Sequence, residues 1–164
     1  NAVLISLLAW VGIMIYVSIR YKWDYAVSGI AALVHDVLVV LGFYAVSRTT
    51  AGTTFIACML TIVGYSINAT IVIFDRIREN TRLAKKEMFA DVVNKSIWQT
   101  VGRSINTSLT TLFTLVVLLI IGVDSIKEFA LPLIVGIIAG TYSSVFVSGP
   151  IWALLKGDKK AALK

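Results

Sequence analysis

The stretch GYSINATIVIFDRIREN, Gly64 to Asn80, decides the fold because it places polar groups inside an apolar run and then passes directly into dense charge. The run reaches back to Phe55, and Ser66, Asn68 and Thr70 lie within it. Unpaired polar groups are costly at membrane depth, so we expect these side chains to face other helices or a water-filled path. The charged residues that follow are expected where a helix leaves the bilayer on its basic, cytoplasmic side. They are Asp75, Arg76, Arg78, Glu79 and Asn80.

The composition of the 164 residues is typical of an integral membrane protein. Hydrophobic residues make up 58% of the sequence, and the mean hydropathy is +0.88, which is too apolar for a soluble domain of this length. Five apolar runs each approach the roughly 20 residues that a helix needs to cross a bilayer. The sequence therefore predicts an all-α, polytopic bundle of five transmembrane helices, with spans at about 2–19, 26–46, 53–74, 104–122 and 129–155.

The basic residues fall mainly on one side of these spans. They follow the first, third and fifth runs, whereas Arg48 and Lys127 lie on the opposite side. By the positive-inside rule the first side is cytoplasmic, so we expect an extracytoplasmic N-terminus and a cytoplasmic C-terminus. The net charge of +6 lies in short loops beside apolar spans. Anionic lipid headgroups are therefore the expected partner of these charges, and nucleic acid is not.

Residues 84–99, between the third and fourth runs, combine an apolar face with a polar one at helical spacing. The pattern predicts an amphipathic helix that lies along the cytoplasmic surface. Such a helix could simply cover the base of the bundle, or it could offer a docking surface, and the sequence does not separate these alternatives. Its apolar residues are Met88, Phe89, Val92, Val93 and Ile97.

His35 and Asp36 form a titratable pair at membrane depth. They lie about ten residues into the second run, roughly 15 Å deep at 1.5 Å per residue. A carboxyl there costs on the order of 2.5 to 3.5 kcal/mol on insertion scales, so it should be protonated, paired or facing water. Asp36 could be a neutral acid bonded to a neighbouring helix, or a proton-titrating site to which His35 adds an imidazole. Adjacent helix positions point about 100° apart, so the pair should not share one face.

Small and hydroxyl side chains recur at helical spacing in the last three runs. Gly136, Gly140 and Ser144 follow the small-xxx-small pattern that lets helix backbones approach closely. Other hydroxyl groups could line a polar seam between the third and fourth runs, or could be ordinary packing residues. These candidates are Ser66, Thr70, Ser104 and Ser108.

Four blocks of the sequence resemble SecF, the smaller membrane subunit of the SecDF protein-export accessory complex, and they cover nearly the whole chain. In family order they are LVHDVLVVLGF at 33–43, the Gly64–Asn80 stretch, SINTSLTTL at 104–112 and FALPLIVGIIAGTYSSVFV at 129–147. The related SecD subunit typically has AVDANVLIFERI where this chain has YSIN and DRIREN. The resemblance implies an RND-like fold that lacks the first helix and extracytoplasmic domain of SecF, in a bacterial or archaeal cell (inner) membrane.

The resemblance implies a subunit that pairs with SecD and uses the proton gradient to help exported preproteins through the SecYEG translocon. It also implies that the helix with Gly136 and Gly140 packs in the core of the bundle that joins SecF to SecD. In the family an essential Asp follows the Asn of a GYS-x-N-D motif and is linked with an Arg. By resemblance Arg103 is that Arg, and Ala69 occupies the Asp position after Asn68.

Alanine cannot titrate, which leaves two interpretations of position 69. Either Ala69 is an inactivating substitution, or coupling runs through Asp36 and carboxylates of SecD. Arg103 could equally be an interfacial anchor that extends to the headgroups. The candidate proton relay consists of His35, Asp36, Asn68 and Arg103.

Two other functions compete with proton-driven export. A non-transducing scaffold that joins SecD to the channel is favoured by Ala69 and opposed by the pair His35 and Asp36, whereas an RND-type exporter of lipids or small molecules is opposed by the ordered SecF blocks. The sequence has no Gly-rich phosphate loop and no HExxH, with one His and one Cys. It therefore predicts no enzyme, no catalytic residues, no metal site and no cofactor.

Overall fold

The computed structural model describes residues 23–48, 52–84 and 87–157, with the isolated positions 4, 8, 11, 12 and 15. The predicted span at 2–19 otherwise lies outside the described residues. All regular elements in the continuous ranges are helices, so the predicted all-α class is confirmed. In chain order they are α1 Trp23–Ser47, α2 Thr53–Leu83, α3 Phe89–Ile121, α4 Asp124–Ser143, a π-helical segment Ser144–Ser148 and α5 Gly149–Lys156.

Four helical stretches in the described part of the chain are long and apolar enough to cross a membrane. They are Tyr25–Ser47, Thr53–Leu83, Phe89–Ile121 and Asp124–Lys156, the last of which joins α4, the π-helical segment and α5. These stretches correspond to the second, third, fourth and fifth predicted spans. The chain is therefore a multi-pass bundle, and its fold rests on how these four stretches pack.

The amphipathic helix predicted at about 84–99 is not a separate element on a surface. It forms the first half of α3, which runs without a break from Phe89 to Ile121. No proline separates the two halves, and Gly102 alone costs only about 1 kcal/mol in a helix. The 33 residues of α3 measure about 50 Å, longer than the roughly 30 Å hydrocarbon core. The charged half therefore continues the apolar half beyond the membrane.

The apolar face of that charged half packs against the bundle. Phe89, Val92 and Val93 are buried, and Phe89 and Val93 belong to a cluster that also contains Phe74 and Trp152. Of the two roles predicted for this segment, the structure favours covering the base of the bundle, because Phe89, Val92 and Val93 pack inside it, whereas Met88 is 41% exposed.

Two apolar clusters stabilise the bundle at its two ends. The cluster near the charged end of α2 contains Tyr25, Phe74 and Trp152, and Tyr25 lies 3.9 Å from Trp152 between ring centroids. The other cluster contains Tyr44 and Ile62. Burial from water contributes little between helices that already lie in hydrocarbon, so close packing must hold them together. Between the clusters the helices bury polar side chains, and the candidate site lies there.

Glycines let α4 lie close to α2. A methyl group added at Gly136 would be 2.2 Å from Ile62 Cδ1, and one added at Gly140 would be 3.2 Å from Ser66 Cβ. These glycines therefore contact α2 of the same chain. The expected position of this helix in the core of the bundle agrees with the burial of both glycines, and pairing of the helix with SecD stays a prediction.

A π-helical segment interrupts the rod formed by α4 and α5 at Ser144–Ser148. Pro150 explains its position, because proline has no N–H to donate and its ring clashes with the carbonyl four residues earlier. A wider π turn accommodates that clash. Serine hydroxyls satisfy nearby carbonyls: Ser144 donates to Thr141 O at 3.0 Å and Ser148 donates to Ser144 O at 2.7 Å.

Candidate functional site

Asp36 lies near the middle of α1 and has no exposed surface. Among the described residues it is the one acidic or basic side chain that is buried. Three helices surround it, because Ser66 of α2 donates its hydroxyl to Asp36 Oδ2 and Ser143 of α4 donates to the same oxygen at 2.8 Å. The carboxyl is thus held by two hydroxyl donors within the bundle.

Gly140 leaves room for this arrangement. A methyl group at Gly140 would lie 3.5 Å from Ser66 Oγ and 3.6 Å from Asp36 Oδ2. A larger side chain would therefore press on both partners. The small-residue stripe of α4 shapes the carboxyl site itself, and it does so by letting the backbone of α4 approach the carboxyl.

The imidazole of His35 contacts the other oxygen of the carboxyl. Its Nδ1 lies 3.1 Å from Asp36 Oδ1, and its side chain is 35% exposed. The partly exposed imidazole thus contacts a carboxyl that is itself buried. The two residues differ in exposure, as expected of adjacent positions that do not share one face, and their side chains nevertheless meet.

The contacts around Asp36 suit both of its protonation states. An ionised carboxylate accepts hydrogen bonds only, whereas a protonated one donates through its O–H. Serine hydroxyls can donate or accept, and Ser143 has a second acceptor in Gly140 O at 3.3 Å. Both carboxyl oxygens thus have hydrogen-bonding partners that can donate or accept.

A second polar site lies between α2 and α3. It is a cleft of about 120 Å³ that includes Asn68, Ala69 and Arg103. The structure thus brings together the three residues that the resemblance linked, with alanine in the position of the acid. The remaining residues of the cleft are Tyr65, Val72, Ser104, Thr107 and Ser108.

The four hydroxyl residues predicted as a polar seam do not form one continuous row. Ser66 bonds Asp36, whereas Ser108 receives a hydrogen bond from Tyr65 OH at 3.1 Å. The Ser108 hydroxyl also lies 2.6 Å from that of Thr141. Thr70 and Ser104 are buried as well, and Ser104 lines the Arg103 cleft.

Sequence reasoning missed Ser143, Tyr65 and Thr141. Hydroxyl side chains fill four consecutive positions, 141–144, in the fifth apolar run. That density could have drawn attention to Thr141 and Ser143, since clustered hydroxyl groups in a membrane helix need partners.

The charged end of α2 is fastened to α3 by side-chain hydrogen bonds. Arg76 Nε donates to Gln99 Oε1 at 2.7 Å, and Asn80 Nδ2 donates to the same oxygen at 2.8 Å. Asn80 Nδ2 also donates to Ser96 Oγ at 2.8 Å, and Arg76 pairs with Glu79 at 2.7 Å. These hydrogen bonds hold α2 and α3 together, and we call the group Arg76, Asn80, Ser96 and Gln99 the clasp. At the same end of α2, Asp75 is exposed and Arg78 is half-buried.

The part of the chain that the structure describes brings no three His, Cys, Asp or Glu side chains together as metal ligands. Cys58 is buried in the apolar cluster with Tyr44 and Ile62. The chemistry available within the described bundle is therefore that of hydroxyls, one imidazole, one buried carboxyl and the guanidinium in the cleft.

Residues 1–158 match the family described as protein export membrane protein SecD/SecF, C-terminal. The SecF protein translocase subunit of Alicyclobacillus acidocaldarius is 46% identical over 99% of this chain and 57% of that protein. The SecDF subunit of Bacillus subtilis is 46% identical over 96% of this chain and 22% of that protein. The chain therefore spans about half the length of the SecF relative and about a fifth of the SecDF relative.

Two solved structures are similar to this chain. The crystal structure of SecDF from Thermus thermophilus, a translocon-associated membrane protein, has a TM-score of 0.89 and 44% identity over 95% of this chain and 22% of that chain. A SecDF crystal structure in a super-membrane-facing form has a TM-score of 0.82 and 44% identity over 88% of this chain and 20% of that chain.

Proposed function

Since the chain belongs to the C-terminal SecD/SecF family of protein export membrane proteins, we propose that it acts as the SecF-type membrane subunit of a SecDF accessory complex. In this role it helps preproteins to cross through the SecYEG translocon, draws energy from the proton gradient and catalyses no covalent reaction. The observation that carries the proposal is the fully buried Asp36, held by His35 and by hydroxyls of two other helices.

Protonation of Asp36 supplies the step that links the gradient to movement. It removes a charge and converts an acceptor oxygen into a donor, so at least one of the contacts to His35, Ser66 and Ser143 must change. Two of these partners lie on other helices. Loss of the charge also weakens the hydrogen bonds that the two serines donate. Each proton gained or lost therefore biases how α2 and α4 pack against α1, which is how a local charge change becomes a conformational switch.

Asp36, rather than position 69, is the proton-carrying residue of this chain in our proposal. Ala69 has no group that can titrate, and the cleft that it shares with Arg103 does not include Asp36. The proposed carboxyl and the family position are thus separate sites in the bundle.

The outer strip of α2 supports association with SecD. Its exposed residues within the apolar part are Thr53, Ala57, Thr61, Gly64 and Asn68, which are small or polar, and no large apolar side chain from 53 to 82 is exposed. A lipid-facing strip would leave these polar groups without partners, whereas small residues let another helix approach closely. The relatives named SecDF are consistent with a SecD helix at this strip.

The end of the bundle that carries Arg76, Arg78 and Lys156 faces the cytoplasm in this proposal. Basic side chains near a membrane surface attract anionic headgroups. This orientation places the extracytoplasmic side of the complex at the end of α1 near Ser47.

The proposal is tested by exchanging Asp36 for asparagine in the full-length protein within its complex. Preprotein export is measured in vesicles with and without an imposed proton gradient. Asp36→Asn keeps the size of the side chain but cannot titrate, so export should fall to the level seen without a gradient. Asp91→Asn, an exposed acid on α3, is the matched control and should behave as the parent. Full gradient stimulation in Asp36→Asn would favour a non-transducing scaffold that joins SecD to the channel.

A further inference from the structure

We propose that His35 transfers the proton between the buried Asp36 and the exposed lateral surface of the bundle, where α1 and α4 lie side by side. This inference rests on the proposed proton-coupled function and adds the route by which the proton reaches the carboxyl. Asp36 has no exposed surface, whereas the side chain of His35, in contact with it at 3.1 Å, is 35% exposed. The imidazole is therefore in contact with the buried acid and with the surroundings of the bundle at once.

No other titratable group of the described residues occupies a comparable position. From α2 the carboxyl meets the hydroxyl of Ser66, and the neighbouring Tyr65 directs its OH to Ser108 instead. From α4 it meets Ser143, while Tyr142 lies beside the imidazole with ring centroids 6.0 Å apart.

The polar cleft with Arg103 does not offer a second route. Its lining includes Tyr65 and Ser108 but neither Asp36 nor the two serines that bond it. Hydroxyl groups of Ser66 and Ser143 close the carboxyl off on the α2 and α4 sides. The route through His35 is the one that begins at a partly exposed side chain.

The transfer uses both nitrogens of the imidazole. Nδ1 faces Asp36 Oδ1, so Nε2 lies on the other edge of the ring. A hydronium ion that reaches this side of the bundle gives its proton to Nε2, which leaves a water molecule and an imidazolium, and the proton on Nδ1 then passes to Oδ1 of the carboxylate. The products are a neutral imidazole that carries its proton on Nε2 and a neutral carboxylic acid, so one proton has moved inward and no electrons are transferred. Reversal of the two steps returns the proton to the same face.

Tyr142 positions the imidazole on the outer side. Its ring stacks on Phe146 at 5.1 Å between centroids, and the two rings are 55% and 63% exposed. The pair forms an aromatic wall beside His35, which limits how far the ring can turn away from Asp36. Tyr142→Phe keeps this wall and should therefore retain transfer.

The test compares His35→Ala, His35→Gln and Asp36→Asn in the full-length complex in vesicles with an imposed gradient. His35→Gln keeps a hydrogen-bond donor beside Asp36 but cannot titrate, so gradient-dependent export should fall on the order of tenfold or more. His35→Ala should fall equally, and added imidazole should restore it. Imidazole should restore neither His35→Gln, whose side chain still fills the site, nor Asp36→Asn, which lacks the acceptor. Val34→Ala, at a neighbouring 45% exposed position, is the matched control.

The outcomes separate this inference from the proposed function. If Asp36→Asn loses coupling while His35→Gln keeps the rate and pH profile of the parent, the proton reaches Asp36 by another route and the inference is overturned. An assembled His35→Ala that imidazole does not restore also overturns it, because a structural role predicts that result. If Asp36→Asn retains full coupling, the proposed function itself fails. Should His35→Ala not assemble, His35→Gln decides alone.

Discussion

Single residues distinguish the two polar sites in the bundle. Asp36 has partners on every side, with His35 at one oxygen and hydroxyls of Ser66 and Ser143 at the other. Position 69 lies in a cleft that already holds a guanidinium and several polar groups, but its own side chain is a methyl. Among the residues that the structure describes, the hydrogen-bonding partners of the buried Asp36 thus include no Arg or Lys. The cleft contains the guanidinium of Arg103, and none of its described lining residues is acidic.

An acid at position 69 tests whether a carboxyl in the Arg103 cleft supports gradient-dependent export. Ala69→Asp places a carboxyl in the cleft of Arg103, where an opposite charge favours its ionised form. If Ala69 is an inactivating substitution, gradient-dependent export should rise several-fold, and Ala69→Asp combined with Arg103→Ala should show no gain. Export with and without a gradient is measured for the parent, both single variants and the double variant.

Ala57→Asp is the control for that experiment, since it places an acid on the exposed strip of the same helix but outside the Arg103 cleft. It should bring no gain. A neutral or harmful Ala69→Asp would mean that this chain has moved its coupling away from the cleft.

How far the site could be predicted depends on the separation of its residues along the chain. Depth within an apolar run was enough to select Asp36, and polarity within a run was enough to select Ser66. Their contact joins helices 30 residues apart, and Ser143 is 107 residues from Asp36. Local periodicity carries no information on which faces of distant helices meet, so the pairing emerged only from the packed bundle.

Among the elements, α2 and α3 depend on each other outside the membrane. Both helices extend past their predicted spans, because those spans ended where charged residues began, whereas a helix continues until its backbone is capped or broken. The projecting ends are joined through Gln99, whose side-chain oxygen accepts from Arg76 and Asn80. Two long helices that would otherwise fray in water are thereby held in register.

Removing this clasp should weaken the charged end. Asn80→Ala and Gln99→Ala should each lower the free energy of unfolding by about 1 kcal/mol, since each loses net hydrogen bonding at a partly exposed site. The double variant should lose less than the sum, because the two residues share a contact. Thermal unfolding of the detergent-solubilised complex measures both effects.

Glu79→Ala provides the comparison for the clasp, because it removes an ion pair whose acid is 59% exposed. It should change stability by less than about 0.5 kcal/mol. Additive effects of Asn80→Ala and Gln99→Ala would argue against the shared contact.

For the whole molecule, the exposed side chains differ between two surfaces of the bundle. α3 exposes Phe113, Ile120 and Ile121, as a helix in contact with acyl chains should. The outer strip of α2 exposes small and polar residues instead. The two surfaces therefore suit different neighbours, acyl chains at α3 and a closely packed helix at α2.

Filling that strip should interfere with SecD and leave the fold of this chain intact. A side chain at Gly64 meets no atom within 4 Å, so Gly64→Leu should be tolerated by the chain itself, yet it should lower co-purification of SecD several-fold by blocking close helix approach. Gly42→Leu on α1 also meets no atom within 4 Å and should not affect pairing. Unchanged recovery of SecD with Gly64→Leu would move the interface to another helix.

The π-helical segment between α4 and α5 sets the angle around the helix axis between two contacts, one made by Ser143 and the other by Trp152. Ser143 and Trp152 are nine positions apart, which in a regular helix turns them by about 180° from each other at 100° per residue. Yet both face α1, Ser143 through Asp36 and Trp152 through Tyr25. A π turn absorbs one extra residue, so the remaining eight steps leave them only about 80° apart. If the same residues formed a regular α-helix without the π turn, either contact could persist, but not both, and the buried acid in the middle of α1 would lose its alignment with the aromatic cluster at the charged end.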